Sequence, residues 1–329
     1  MNPGGTAALH RLGVDISDLG RRIDTLEFRD EHGRMRTAID IAAVGARFGY
    51  GSRTVPRRDL LARLASGLPD GTVRFGRACT APRTDPVGGA TADGIGSVLR
   101  AHQLPDTPAE PCGWASMQAL TPVPVALADG TVSRCVQGPG GMCGIMPAGN
   151  GLVQWWFDVP WSPDAAEPAS PVESLRARFG RWKDPVAAAI LEYAQDTDLG
   201  RYPHYRHTVP DLWGHGPVTL LGDAAHAFPP STAQGANQAL EDAWALTRAL
   251  DPRRTPHPAG PEPLLRRYEH TRRPPAALAS RVSSLQIAMR RRPPALVHRM
   301  IPRGLATRGF AAYLRRVSTV LGPEPGHRP

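Results

Sequence analysis

The residues best suited to chemistry lie between 218 and 250, in the run VTLLGDAAHAFPPSTAQGANQALEDAWALTRAL. The segment VTLLG is uncharged and short, which is typical of a buried parallel strand, and Asp223 follows it directly. Ligands of open α/β sheets bind beyond the carboxyl ends of the strands. This carboxylate is therefore placed to accept hydrogen bonds from sugar or ribityl hydroxyls.

The loop and helix after Asp223 extend this site. Pro229 and Pro230 stiffen the loop, and Gly235 lets the backbone approach a flat or anionic ligand closely. Helical spacing of apolar residues predicts a helix from about Ala236. Its N-terminus would carry partial positive charge and free N–H groups, which favour a phosphate or a negatively charged ring edge. From physics alone, an ordinary strand–loop–helix connector remains the alternative.

The order of residues in this run resembles the second FAD-binding motif of the flavin monooxygenases of the para-hydroxybenzoate hydroxylase type. The matching positions are Gly222, Asp223, Ala224, Ala225, His226, Pro229, Pro230, Gln234, Gly235, Ala236, Asn237, Glu241, Asp242 and Ala243. The resemblance implies that Asp223 binds the ribityl or ribose part of FAD. It also implies that the loop from Pro229 to Asn237 lies along the flavin ring, with the helix start at the ring's pyrimidine end.

Other segments match the same family in chain order. PRRDLLARL resembles its arginine-bearing helix, with Arg57 in place of the arginine that reaches the FAD diphosphate. ADGIGSVLR resembles its Asp-Gly motif, with Asp93, Gly94, Ser97 and Arg100 in register. YEHTRRPPAA resembles the segment after the FAD helix, and NPGGTAALHRLGV the stretch after the first βαβ unit. The cofactor-binding residues implied by the resemblance are Arg57, Asp93, Gly222, Asp223, Pro229, Gly235, Ala236 and Asn237.

The chain also departs from the family pattern. It contains no GxGxxG loop, and its richest glycine cluster, GPGGMCG at 138–144, is predicted to be a hairpin turn because no helix pattern follows. The segment before Asp93 reads as a poor strand, and Ala233 stands where the family commonly has Gly, so that its methyl would crowd the flavin. We therefore interpret the sequence as an N-terminally truncated or degenerate member of the family.

Composition excludes several classes of protein. The 329 residues carry a net charge of +9, but Lys183 is the only lysine and the arginines are scattered, which argues against nucleic-acid binding. The cysteines, Cys79, Cys112, Cys135 and Cys143, form no CxxC pair, and we expect no metal site. No apolar run approaches the roughly 20 residues of a membrane helix, and no signal peptide is recognisable. We expect a cytoplasmic protein without a membrane partner.

Other polar residues offer weaker alternatives. His226 is close to Asp223 and Ser231, but the chain has no GxSxG nucleophile elbow, which argues against a hydrolase. Solvated loop positions are expected for His204, His207 and His215. No catalytic acid or base can be named.

Periodicity predicts the remaining elements. We expect a hairpin over 23–41, a helix over 54–71, a strand over 72–76 and antiparallel strands over 112–158. Helices are expected at 172–183 and 185–195, followed by basic helices over 264–320 broken at Pro274–Pro275, Pro293–Pro294 and Pro302. Trp155 and Trp156 alternate across a strand, so one should pack in the core while the other faces a substrate cavity. Trp114, Met117 and Gln118 are candidates for the same cavity, although core packing is the default for each.

The predicted fold is α/β: an incomplete Rossmann-like FAD-binding domain (1–100 and 200–264), an inserted, mostly antiparallel substrate domain (101–199) and C-terminal helices (265–329). The resemblance implies that NAD(P)H reduces FAD and that O₂ then hydroxylates an aromatic or polyketide-like small molecule. The alternative is a non-redox small-molecule-binding or accessory protein, or an inert remnant, that kept the fold and lost FAD. Substrate identity, the choice of NADH or NADPH and the oligomeric state stay open.

Overall fold

The computed structural model describes residues 1–78, 89–105, 107–122, 130–253, 260–290 and 301–322. The helices of these ranges are α1 (Pro3–Arg11), α2 (Ile41–Phe48), α3 (Arg57–Ser66), α4 (Val98–Gln103), α5 (Pro171–Phe179), α6 (Pro185–Tyr193), α7 (Asp223–His226), α8 (Gly235–Leu250), α9 (Glu262–Met289) and α10 (Arg303–Val317). The strands are β1 (Arg21–Ile23), β2 (Thr25–Asp30), β3 (Met35–Asp40), β4 (Ser52–Thr54), β5 (Gly89–Thr91), β6 (Glu110–Pro122), β7 (Val132–Gly138), β8 (Gly141–Gly149), β9 (Leu152–Pro160), β10 (Gly200–Arg206) and β11 (Val218–Leu220). The α/β class is confirmed. Among the described helices, none is long and apolar enough to cross a membrane.

A seven-stranded sheet in the order β10-β6-β9-β8-β7-β2-β3 contains the predicted antiparallel strands. One face of its central strands buries apolar residues such as Met117, Ile145 and Phe157 against α5 and α6. The opposite face carries polar and aromatic side chains, as the two-residue alternation of a strand requires. The glycine cluster at 138–144 forms the predicted hairpin, in which Gly138 pairs with Gly141 between β7 and β8.

The same sheet also includes strands that lie outside residues 101–199, the range expected for the substrate domain. The hairpin β2–β3 and strand β10, both expected in the FAD-binding domain, are members of this sheet. Strand β2 pairs in parallel with β7, so that Phe28 lies opposite Cys135. A lone hairpin is at best marginally stable; here its apolar side chains are covered by α10, including Leu314. The sheet therefore extends across the expected boundaries at residues 100 and 200.

The motif run lies on a separate parallel pair. Strand β11 pairs with β5 in parallel register, Thr219 opposite Ala90, and α8 follows as the motif predicts. Helix α1 approaches α8 closely because Gly5 has no side chain there; a Cβ at Gly5 would collide with Asn237. The predicted strand over 72–76 is absent from the described structure, and Phe75 in this segment is 89% exposed.

Helix α9 corrects another expectation. It runs unbroken through Pro274 and Pro275 over 28 residues, where the sequence predicted a break. Pro275, Ala276 and Ala279 are buried, so tertiary packing outweighs the lost backbone hydrogen bonds. The break at Pro302 agrees with the prediction, since this residue is the N-cap of α10. Residues 293–294 lie outside the described residues.

Candidate functional site

Asp223 is the centre of the candidate site. It follows β11 through Gly222, whose φ of 58° and ψ of −141° suit glycine, and it begins the single-turn helix α7. Its side chain is exposed and has no hydrogen bond or ion pair within the part of the chain that the structure describes. A Cβ at Gly235 would lie 4.0 Å from Asp223 Oδ1. The fold therefore brings the predicted carboxylate and the predicted close-approach glycine together.

The N-terminus of α8 is open beside this carboxylate. Its N-cap, Gln234, makes no side-chain capping hydrogen bond, and Ala236 in the first turn is exposed. The helix has 16 residues, enough for a full dipole at its end. Its free N–H groups can therefore bind the anionic edge of a ligand.

Asp242 holds the turn that presents Asp223. Its carboxylate accepts hydrogen bonds from the Gly222 N–H at 2.9 Å, from His226 Nε2 at 2.7 Å and from Arg272 Nε at 2.7 Å. Burial by itself would raise the pKa of Asp242, but His226 and Arg272 outweigh burial and lower it overall. Asp242 is thus an anion in the core, and it fixes the backbone of the motif turn through charge-assisted hydrogen bonds.

Arg100 joins the Asp-Gly segment to the same turn. Its Nη1 donates to the carbonyl oxygens of Ala224 at 2.9 Å and Ala225 at 2.8 Å. The guanidinium is buried, and desolvation lowers the pKa of Arg100 to about 10. Asp93 accepts a hydrogen bond from the Val98 N–H at 3.0 Å and is exposed. Because β5 and β11 are parallel neighbours, Asp93 and Asp223 lie at the same edge of the pair.

Most of the other predicted residues lie in the loop before α8, whereas Arg57 lies on a different helix, α3. Asn237 is buried, accepts from the Asn2 N–H at 3.1 Å and donates to the Ala233 carbonyl at 2.7 Å, so it holds the loop. Pro229 is buried at the start of this loop. Ala233 has a φ of 51°, a left-handed conformation that favours glycine, which gives a backbone reason for glycine at this position. Arg57 is exposed at the start of α3, and the described structure gives it no hydrogen bond to the other site residues.

The open face of the sheet carries an uncharged patch, which we call the ring patch: Gln118, Gly144, Met146, Gln154 and Trp156. These residues share one face, since Trp156 lies opposite both Gln118 and Gly144, and Gln154 lies opposite Met146. The four side chains are half-buried. Trp155 points the other way into the core, as one of the tryptophans was predicted to do. The sequence candidate Met117 is likewise a core residue.

Helices α9 and α10 contact both the sheet and the segment that contains the motif. On α9, the Ser283 carbonyl accepts a hydrogen bond from Ser231 Oγ at 2.8 Å, and two turns later Arg290 reaches Asp158 on the sheet. On α10, the Val317 carbonyl accepts from Gln238 Nε2 at 2.8 Å, and the same helix covers β2 and β3.

A closed polar cluster borders the ring patch. Asp158 binds Arg290 Nη1 at 2.5 Å and accepts a hydrogen bond from Ser116, whose Oγ is 3.3 Å from His204 Nε2. Trp114, a sequence candidate for the cavity, is buried beneath the Arg290 guanidinium, 5.7 Å from it. The expectation that His204 is a solvated loop residue is wrong, because the sheet and α9 enclose it.

His207 was also expected in solvent and is buried as well. Its Nε2 lies 3.0 Å from the Ile95 carbonyl, and its own N–H donates to the Ala227 carbonyl at 2.8 Å. It therefore connects the Asp-Gly segment to the end of α7. His215 is exposed, as predicted.

These residues fit the flavin and ribityl part of FAD. Asp223 offers an exposed carboxylate for hydroxyl groups, and the open start of α8 offers N–H donors for the electron-rich pyrimidine edge. A glycine at 235 leaves room between them. The chemistry of these groups suits a flavin cofactor.

Comparison with known proteins identifies the family. A family model described as an FAD binding domain matches residues 90–283. The chain is 32% identical to the 3-amino-4-hydroxybenzoate 2-monooxygenase of Streptomyces cremeus over 301 residues, which cover 84% of this chain and 73% of that protein. It is 30% identical to a salicylate hydroxylase of Pseudomonas putida, over 75% of this chain and 66% of that protein.

A solved structure matches nearly the whole fold. Klebsiella pneumoniae HpxO, complexed with FAD and uric acid, superposes with a TM-score of 0.84 at 22% identity, covering 96% of this chain and 87% of that chain. The chain belongs to the FAD-binding family of flavin-dependent aromatic monooxygenases.

Sequence reasoning did not single out two parts of this site. Arg272 was visible only as one position of the third matching segment, and its burial against Asp242 depends on the packing of α8 on α9. Gln154 and Met146 were not identified, because cross-strand partners follow from register, which the sequence pattern does not specify residue by residue.

Proposed function

We propose that the protein is an FAD-dependent hydroxylase of an aromatic small molecule, with NAD(P)H and O₂ as co-substrates. The observation that carries the proposal is the Asp223 carboxylate, exposed and without a partner among the described residues, beside the open N-terminus of α8. When bound, FAD would supply the redox chemistry, taking a hydride from NAD(P)H and delivering one oxygen atom of O₂ to the substrate ring. The absence of a membrane-spanning helix in the described residues agrees with a cytoplasmic enzyme.

The chain's own residues would bind and orient. Asp223 accepts hydrogen bonds from ribityl hydroxyls, while Asp242 and Arg100 hold the turn that presents it. The N–H groups of the first turn of α8 favour negative charge at the pyrimidine edge. Trp156 and the glutamines of the ring patch would contact the substrate ring.

The relatives support an aromatic substrate. Their names give 3-amino-4-hydroxybenzoate and salicylate as the compounds they act on, and the HpxO structure contains uric acid. All three are flat, conjugated rings with hydrogen-bonding substituents. A half-buried tryptophan with neighbouring amides is suited to such a ring.

The proposal is tested by flavin binding and product formation. Absorption spectra of the purified chain during FAD titration give the dissociation constant, and Asp223→Ala should weaken it at least tenfold, because a hydrogen bond to a charged group contributes about 1.5–3 kcal/mol. Asp211→Ala removes an exposed carboxylate elsewhere and should leave the constant unchanged. Equal affinity in the Asp223 variant would refute the assigned site. A flavin-loaded chain that oxidises NAD(P)H without hydroxylating any aromatic compound would refute the proposed reaction.

A further inference from the structure

We propose that the ring patch selects an uncharged aromatic substrate that carries a carboxamide or ring lactam, in preference to the same ring with a carboxylate. The inference deepens the proposed function and rests on it for the location of the substrate. Its basis is the amide pair, the tryptophan and the charge balance of one face of the sheet.

The two glutamines form a matched donor and acceptor. Gln154 Nε2 donates to Gln118 Oε1 at 3.2 Å. This bond leaves Gln154 Oε1 as an acceptor and Gln118 Nε2 as a donor, with no other protein partner in the ranges that the structure describes. A primary amide or a lactam presents one N–H and one C=O side by side, which is the complement of this pair. If the amide O and N of both glutamines were exchanged, the pair would still offer one free donor and one free acceptor.

Trp156 supplies the apolar surface beside this pair. It lies opposite Gln118 on β6 and against Gly144 on β8, where any side chain would collide with its ring. Gly144 therefore lets the indole lie against the sheet. Met146, across from Gln154, extends the apolar surface with a flexible thioether. A planar ring can stack here while its substituent reaches the amides.

The charges on this face are already paired. The five residues of the ring patch carry no ionisable group, and the bordering Asp158 and Arg290 bind each other. The Arg290 side chain is only 8% exposed, between Asp158 and the ring of Trp114. A substrate carboxylate placed on the patch would lose water without gaining a counter-charge from the described sheet residues, which is unfavourable. A carboxamide loses less hydration and gains two hydrogen bonds.

A matched pair of ligands tests the inference directly. We would measure binding of 3-amino-4-hydroxybenzamide and 3-amino-4-hydroxybenzoate to the full chain by calorimetry at neutral pH, with and without saturating FAD. The amide should bind at least tenfold more tightly. Met146→Arg places a cation next to Gln154 and should reverse the order. Leu250→Arg adds the same charge at the far end of α8. This control variant should prefer the amide as strongly as the unmodified chain does.

The outcomes separate this inference from the proposed function. Equal binding of the two ligands, preference for the carboxylate, or no binding of either would overturn it, even if FAD binds and NAD(P)H is oxidised. A preference for the amide that persists in a chain unable to bind FAD would support the patch and refute the proposed function. An amide preference that Met146→Arg does not alter would move the recognition site away from the patch and so also overturn the inference.

Discussion

At the scale of single residues, two adjacent arginines of α9 show how burial determines the contribution of an ion pair to stability. The Arg272 side chain is fully buried and binds both Asp242 and Glu241, whereas Arg273 is half-buried and pairs with the exposed Asp211 at the surface. Arg272→Met would leave two carboxylates without their cation in the core. We expect the free energy of unfolding of the Arg272→Met protein to be lower than that of the unmodified chain by about 3–5 kcal/mol.

Arg273→Met is the matched control. It removes an ion pair at the surface and should cost less than about 1 kcal/mol. Chemical denaturation of both variants at neutral pH gives the comparison. Similar losses in the two variants would contradict the view that the buried network stabilises the motif turn.

Ala233 offers a second test at one residue. Its left-handed backbone strains an alanine, so Ala233→Gly should raise the free energy of unfolding by about 0.5–1 kcal/mol. The same substitution at Ala236, an exposed position in the first turn of α8, should instead lower it, by up to about 1 kcal/mol. Thermal melts of the two variants should therefore shift in opposite directions. A shift of both in the same direction would be inconsistent with the strain assigned to Ala233.

At the scale of elements, regular alternation and the motif were predictable, and long-range packing was not. The strands between residues 110 and 160 follow from alternation, and Asp223 with Gly235 follows from the strand–loop–helix pattern. The break predicted at the prolines of α9 was wrong because the lost backbone hydrogen bonds are local, whereas the burial that compensates for them depends on contacts with distant parts of the chain. The hairpin β2–β3 was found, but its partner β7 is about a hundred residues away along the chain, and nothing in either segment specifies that pairing.

The contact between α1 and α8 gives a prediction at this scale. A Cβ at Gly5 would overlap the Asn237 side chain, so Gly5→Ala should force the helices apart and cost about 1–3 kcal/mol. Because Asn237 also binds the Ala233 carbonyl, the motif loop should loosen, which faster amide hydrogen exchange around 233–237 would reveal.

Gly309→Ala makes the same change in α10, where a Cβ would meet open space. It should stabilise the protein by about 0.5–1 kcal/mol through helix propensity alone. A Gly5→Ala variant as stable as this control would mean that the helices tolerate the extra methyl, and that Gly5 is not needed for their close approach.

At the scale of the whole molecule, buried polar contacts bind the motif half to the sheet. Arg290 at the end of α9 binds Asp158 on the sheet, and His207, just after β10, contacts the Ile95 and Ala227 carbonyls near the motif turn. His204, on β10 itself, is buried against Ser116 of the neighbouring strand β6. Sequence analysis expected both histidines in solvent, because isolated histidines in a loop pattern carry no sign of the surfaces that enclose them. Their burial makes the assembled molecule sensitive to acid.

The sign of that sensitivity follows from the direction of the pKa shifts. Burial lowers the pKa of His204 below 6.5 more than Asp158 raises it, and burial followed by the charge of Arg100 lowers the pKa of His207. Below pH 6.5 the unfolded chain therefore binds more protons at these residues than the folded chain does. Stability is retained above that pH and is lost as the pH falls through it.

We expect each buried histidine to lower the free energy of unfolding as the pH falls from 7.5 to 5.5, because its pKa is lower in the folded than in the unfolded chain. His207→Gln keeps an amide near the Ile95 carbonyl and should reduce this pH dependence, even if the variant is less stable at both values. His215→Gln changes an exposed histidine and should leave the dependence unaltered. Urea unfolding of the three proteins at both pH values makes the comparison. An unchanged pH dependence in the His207 variant would show that this histidine does not resist protonation in the folded protein, because a group that titrates alike in both states adds no slope.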